Sequence, residues 1–328
     1  MYKISKALDK TKYSIYNSNR NLIRGVDMPD TFENKIMSSL EKTSTEPIIY
    51  RYHSMYRPSL YFSLNEDEFE RYFNPHEEYH SLDHVPFMGF ELEFNTVHHD
   101  IGRRSNLIDL IQESNNIFGN NTFIYYMRDG SIGYGLEMIS QPATYEFYLA
   151  HKDLLKRNFE NIINHGFTAG YSCGLHIHFN KDYYGYKCEE CTEKILTIID
   201  MFWKQLVFFS RRRYSRIERW SNKYDKTPEE IVSDMKYGVF PDRYRALNIR
   251  NRTTLEFRIY ASTLDLDEFL ATLELTNNII RASKELSVEQ IKNLTFDYFL
   301  TNPNLQKYYK KYSSASRIKK YKKYFENT

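Results

Sequence analysis

Three short segments of the chain carry a titratable side chain on every second residue: Gly89-Phe-Glu-Leu-Glu-Phe94, Gly174-Leu-His-Ile-His-Phe179 and Thr254-Leu-Glu-Phe-Arg-Ile259. A period of two belongs to the β-strand, in which alternate side chains share a face. The pattern predicts three strands with Glu91 and Glu93, His176 and His178, and Glu256 and Arg258 on one side. Phe90, Leu92, Phe94, Leu175, Ile177, Phe179, Leu255, Phe257 and Ile259 then fall on the other. A single strand of this kind describes an ordinary solvated face. Three in one chain, using Glu-x-Glu, His-x-His and Glu-x-Arg, predict one shared wall of oxygen ligands, imidazoles and a guanidinium, a wall suited to divalent metal and polyphosphate.

Between these strands the periodicity predicts helices over 105–118, 144–165, 190–213 and 266–284 and strands over 87–95, 122–127, 136–140, 174–180, 244–250 and 254–260. Gly166 is the expected stop of the second helix. Arg211-Arg212-Arg213 reads as the basic end of the third, and Asp265 and Asp267 mark the start of the fourth. The stretch 214–243 reads as a loop and a candidate lid. Strands and helices are mixed without regular β-α-β alternation, which predicts an α+β fold with a largely antiparallel sheet. Residues 1–85 are polar and weakly periodic, with a short helix expected near Pro29 to Leu40, and form an N-terminal extension of unassigned role. Residues 86–285 form the expected central domain. Residues 286–328 form a C-terminal tail in which Lys307 to Thr328 carries seven Lys and one Arg against one Glu, a local charge of +7.

A chain of 328 residues, 41% hydrophobic and 27% charged, has enough material for a sizeable core. Its net charge of +2 gives no general attraction to nucleic acid, although the basic, tyrosine-rich tail leaves such a contact, or one with an acidic surface, open beside a solvated helix end. No apolar run reaches the length of a membrane span, the start lacks a signal-type apolar stretch, and three cysteines make no disulfide framework. These features predict a cytoplasmic protein. Cys188-x-x-Cys191 has zinc or redox spacing without a second pair, and reads as two thiols at a helix start.

Each motif has a bland and a chemical reading. Glu91 and Glu93 are a solvated strand face or a pair of cation ligands. Asp129-Gly130-Ser131 is a turn, and Glu137 is a lone carboxylate in an apolar strand that needs a partner. His176 and His178 are structural histidines, a zinc pair, or contacts to metal or phosphate. Arg243, Arg245, Arg250, Arg252 and Arg258 are a salt-bridged surface or a set of forks for phosphate oxygens.

In this order the motifs resemble the amidoligase family, within the glutamine synthetase and glutamate–cysteine ligase superfamily of carboxylate–amine ligases. The resemblance spans about residues 86–285 and rests on Gly89 to Phe94, Asp129-Gly-Ser131 with Glu137 and Pro142, Cys173 to Phe179, Arg243 to Ile249, and Thr254 to Arg258. It implies a curved, mostly antiparallel, glutamine synthetase-like sheet with flanking helices, binding ATP and Mg²⁺ or Mn²⁺. It implies metal ligands at Glu91, Glu93, Glu137, His176 and Glu256, nucleotide contacts at His178, Arg243 and Arg245, and catalytic roles for Arg252, Arg258, Asp129 and Ser131. The implied reaction is ATP-dependent amide formation through an acyl phosphate, joining a small or protein-borne carboxylate and amine. An oligomer is compatible with the superfamily. Arg250-Asn251-Arg252 departs from the pattern. A phosphotransferase on the same fold, a non-catalytic nucleotide- or protein-binding module and, more distantly, a zinc hydrolase are the alternative readings.

Overall fold

The computed structural model describes residues 14–16, 22–23, 49–51 and 61–63, and then residues 86–325 apart from 99–100, 102–103, 119–122, 129–131, 133, 170–172, 315–316, 320 and 322–324. The helix expected near Pro29 to Leu40 lies outside these residues. The chain divides into two compact units, residues 1–78 with 93–168 and residues 79–92 with 169–328.

In the first unit, β1 (Ser14–Tyr16), β2 (Leu22–Ile23) and a later strand pair antiparallel in a three-stranded sheet; β3 (Ile49–Arg51) is separate, and β4 (Tyr61–Ser63) is that third strand. The unit boundary falls within β5 (Met88–Phe94), after Leu92. There follow α1 (Arg104–Phe118), β6 (Ile124–Arg128), β7 (Leu136–Ser140), α2 (Tyr145–Ala150) and α3 (Lys152–Asn164). β6 pairs antiparallel with β7 and parallel with β3. Tyr126 of β6 ties both long helices to the strand: its hydroxyl lies 2.7 Å from Ser114 Oγ and accepts from Asn158 Nδ2 at 3.1 Å. The single helix expected over 144–165 is broken at His151. The ring of His151 stacks on Phe147 with centroids 4.1 Å apart, and its Nδ1 lies 2.9 Å from the Phe147 carbonyl. That carbonyl also accepts the His151 backbone N–H at 3.1 Å, the bond that closes α2. Gly166 ends α3 at φ +83°, a conformation that favours glycine.

The second unit holds β8 (Gly174–Asn180), α4 (Cys188–Met201), α5 (Trp203–Phe209), α6 (Tyr214–Trp220), α7 (Pro228–Lys236), β9 (Leu247–Asn248), β10 (Thr254–Ala261), α8 (Leu266–Glu285), α9 (Val288–Lys292) and α10 (Pro303–Tyr312). Its strands run in the order β5-β8-β10-β9, each pair antiparallel. The apolar side of these strands packs on α8. Phe90 meets Phe269 edge-on at 4.9 Å, and Thr276 Oγ1 donates to the Tyr260 hydroxyl at 3.0 Å. The arrangement is α+β, as expected.

Four expectations are corrected in this unit. The helix expected over 190–213 is two helices, parted at Phe202, whose ring turns onto Phe296 and Phe299 at 5.6 and 5.8 Å. Arg211-Arg212-Arg213 is not helical: Arg211 sits at φ +61°, and Arg211 and Arg212 are buried. Side-chain bonds hold Arg211 in that strained conformation, from Nη2 to the Ala261 carbonyl at 2.6 Å and from Nη1 towards Glu268. The expected loop 214–243 contains α6 and α7; α7 is begun by a reciprocal capping box of Thr227 and Glu230, a local signal that outweighs the polar composition. The strand expected over 244–250 shrinks to Leu247–Asn248, because Asn222 and Tyr244 through Ala246 exchange backbone bonds instead.

The basic tail is partly tied down. Lys311 Nζ donates to Glu268 Oε1 at 2.8 Å, the Tyr312 hydroxyl donates to the same carboxylate, and Tyr321 donates to the Arg212 carbonyl at 2.8 Å. No helix among the described residues is long and apolar enough to cross a membrane.

Candidate metal centre

Strand register, set by the apolar face, brings the polar faces of β5, β8 and β10 together. Glu91 stands opposite His176, His178 opposite Glu256, and Asn248 of β9 opposite Glu256 on the other side. Directly opposed side chains are within contact range. His176 Nδ1 lies 3.1 Å from Glu91 Oε2 and 3.7 Å from Glu256 Oε1. His178 Nε2 lies 3.2 Å from Glu91 Oε1 and 3.8 Å from Glu256 Oε1. His178 Nδ1 is 3.2 Å from the Thr254 hydroxyl. Arg258 Nη1 is ion-paired with Glu256 Oε1. The Glu91 and His178 side chains are 29% and 22% exposed and form the open side; those of His176 and Glu256, 6% and 4% exposed, form the floor.

A β-bulge lies within this site. β10 and β8 are in step through Phe257 and Ile177, and then Tyr260 rather than Ile259 falls opposite Leu175. Strict alternation predicts Ile259 there. The extra residue is inserted at Arg258-Ile259, beside His176, where bulges commonly re-aim a side chain.

The charges are mutually dependent. Burial raises the Glu91 carboxyl, but the charge on His178 and the hydrogen bond with His176 outweigh it and hold the group well below the usual carboxylate range. Burial opposes ionisation of Glu256 too, and the charges of His178 and Arg258 carry it below its ordinary value. Burial also opposes charging His178, yet Glu256 and Glu91 push it up to about 9.

This donor set fits a divalent cation. One ligand atom from each of Glu91, His178 and Glu256 lies within 4.8 Å of the others, close to what one cation with bonds of about 2.0–2.4 Å spans. His178 Nε2 is buried near both carboxylates but aligned with neither for a hydrogen bond. A cation held there would take the place of its proton. Arg258 Nε is also buried without a hydrogen-bond partner among the described residues, which leaves a donor for an anion.

Of the residues expected from sequence, Glu91, His176, His178, Glu256 and Arg258 come together. Glu93 and Glu137 are buried in the first unit. Asp129 and Ser131 lie outside the described residues. Arg245 donates to the Lys223 carbonyl at 2.7 Å and pairs with Asp225 and Asp242 at 3.2 and 3.3 Å, so its charge is engaged locally. Arg243 is exposed and lies over the Tyr244 ring at 5.1 Å, and Arg252 is exposed in the turn before β10.

Five contributors were not legible as such. Asn248 and Asn251 donate to Glu256 Oε2 at 2.7 and 3.1 Å, and Lys181 Nζ donates to the Ile249 and Asn251 carbonyls at 3.2 and 2.6 Å. Thr254 meets His178. Arg212 donates to the Arg258 carbonyl at 2.7 Å. A Cβ on Gly174 would stand 2.7 Å from His176 Nε2 and 3.2 Å from Arg212 Nη2, so glycine leaves room for both. The departure at Arg250-Asn251-Arg252 was the one available signal. No protein-family model matches the chain, and no curated protein matches it significantly.

Proposed function

We propose that the chain is an ATP-dependent carboxylate–amine ligase whose cluster of Glu91, His176, His178 and Glu256 holds Mg²⁺ or Mn²⁺. One observation carries this reading: three separate strands converge two carboxylates, two imidazoles and Arg258 on one face. The order of the motifs, which resembles the amidoligases, supports it further, including the glutamine synthetase-like sheet.

In the proposed reaction a substrate carboxylate oxygen attacks the γ-phosphorus of ATP and the bond to the ADP oxygen breaks. An amine nitrogen then attacks the acyl carbon, the bond to phosphate breaks, and the nitrogen gives its proton to a base. A bound divalent cation supplies neutralisation of the phosphate charge. Arg258 supplies a fixed positive charge beside Glu256, suited to the charge that develops on the transferred group. His176 and Glu256, buried on the floor, hold the ligand atoms of the site in place.

The test is release of ADP with Mn²⁺, ATP and mixtures of amino acids as acid and amine, followed by mass analysis for an amide. Dependence on both components, with losses of about 100-fold or more in Glu91→Ala and Glu256→Ala, is expected. Wild-type rates in both variants overturn the reading. Phosphorylated product without an amide marks a phosphotransferase instead.

A further inference from the structure

Glu256 does not offer its two oxygens equally. Oε1 faces His176, His178 and Arg258. Oε2 accepts two amide hydrogens, from Asn248 Nδ2 at 2.7 Å and Asn251 Nδ2 at 3.1 Å. An ionised carboxylate only accepts, so both amides must turn their NH₂ groups to it, and two donors occupy both lone-pair directions of one oxygen. The amides are fixed in turn. Asn248 Nδ2 also reaches Asn251 Oδ1 at 3.4 Å, and Asn248 Oδ1 accepts the Arg250 N–H at 3.0 Å. Lys181 fastens the turn that carries Asn251: its backbone N–H donates to the Thr253 carbonyl at 2.9 Å and its Nζ to the carbonyls of Ile249 and Asn251.

We propose that Asn248 and Asn251, held by Lys181, commit Glu256 to one-oxygen ligation through Oε1 and so make the centre select small octahedral cations of the Mg²⁺ and Mn²⁺ type against Ca²⁺. The inference rests on the metal reading of the same cluster. Ca²⁺ takes six to eight oxygens and commonly binds a carboxylate through both; the smaller cation demands a tight octahedron that one-oxygen ligands build more readily. Asn248 and Asn251 are positioning residues, acting on the cation through Glu256.

The test uses the full chain freed of metal, with Mn²⁺ alone followed by electron paramagnetic resonance and Ca²⁺ by calorimetry. Wild type, Asn251→Ala and Asn248→Ala are compared, with folding checked by circular dichroism. Asn251 lies in a partly exposed turn, so its variant is the one expected to keep the fold if Asn248→Ala does not. The ratio of Mn²⁺ to Ca²⁺ affinity is expected to fall about tenfold, in line with the effect of removing partners of ligating carboxylates. A ratio within about twofold of wild type in the folded variants overturns the inference and leaves the metal reading standing. Failure of the wild-type chain to bind either cation overturns both.

Discussion

His178 Nε2 lies 3.2 Å from Glu91 Oε1 and 3.8 Å from Glu256 Oε1, so without a cation an imidazolium stands between two carboxylates that start on different strands. The same three groups that would ligate a metal hold each other's charge in its absence.

This charge set gives the metal-free protein a defined pH response. His178 is raised from 6.5 to about 9, so its contribution to stability is complete below pH 6.5 and is lost as pH rises through about 9. Glu91 and Glu256 are lowered from 4.5, so their contributions are present above pH 4.5 and are lost as pH falls below it. Urea unfolding is expected to show greatest stability near pH 5–6.5 and a loss on the order of 2 kcal/mol by pH 9, since each pH unit between the unfolded and folded titration of His178 is worth about 1.4 kcal/mol. His178→Gln is expected to remove the alkaline limb. An alkaline limb retained in that variant would refute the assignment.

Arg258 is the partner of the buried Glu256 carboxylate. Arg258→Ala leaves that charge with amide and imidazole contacts only, and is expected to cost about 3 kcal/mol. Adding Glu256→Gln to Arg258→Ala should recover most of the loss. Equal stability of the single and double variants, by urea unfolding, contradicts the pairing.

Gly174→Ala places a methyl group against His176 Nε2 and Arg212 Nη2, whose side chains are buried and have little room to yield. A loss of about 1–3 kcal/mol is expected, with weaker Mn²⁺ binding because His176 must shift. Unchanged melting temperature and Mn²⁺ affinity would show that the two side chains accommodate it.

Glu268 gathers Arg211, Thr263, Lys311 and the Tyr312 hydroxyl. Tyr312→Phe removes a hydrogen bond to a charged group and is expected to cost about 1.5–3 kcal/mol. Thermal melts compare it with Tyr298→Phe, an exposed tyrosine on which no such loss is expected.

Much of the pattern of strands and helices across residues 86–285 is local and was legible in the chain. Alternation placed Glu91, His176, His178 and Glu256 on one face, because the period of two is a property of each strand and survives folding. Gly166 and Asp265 marked helix ends for equally local reasons: a left-handed φ at the first, and a side chain accepting from the Glu268 N–H at the second. What alternation leaves open is register and everything that contacts a site from a distance. The bulge at Arg258-Ile259 depends on how β10 meets β8, and moves Tyr260 into the place alternation assigned to Ile259. Arg211-Arg212-Arg213 has the composition of a solvated helix end; Glu268, the Ala261 carbonyl and the Arg258 carbonyl, all distant in sequence, are what make burying two of those guanidiniums tolerable. Asn248 and Asn251 look like turn residues until Glu256 is set beside them by the pairing of β9 and β10. The carboxylates and imidazoles of the cluster were therefore written in the strands themselves, while the groups that orient them came from long-range hydrogen bonds and ion pairs, which leave no periodic trace along the chain.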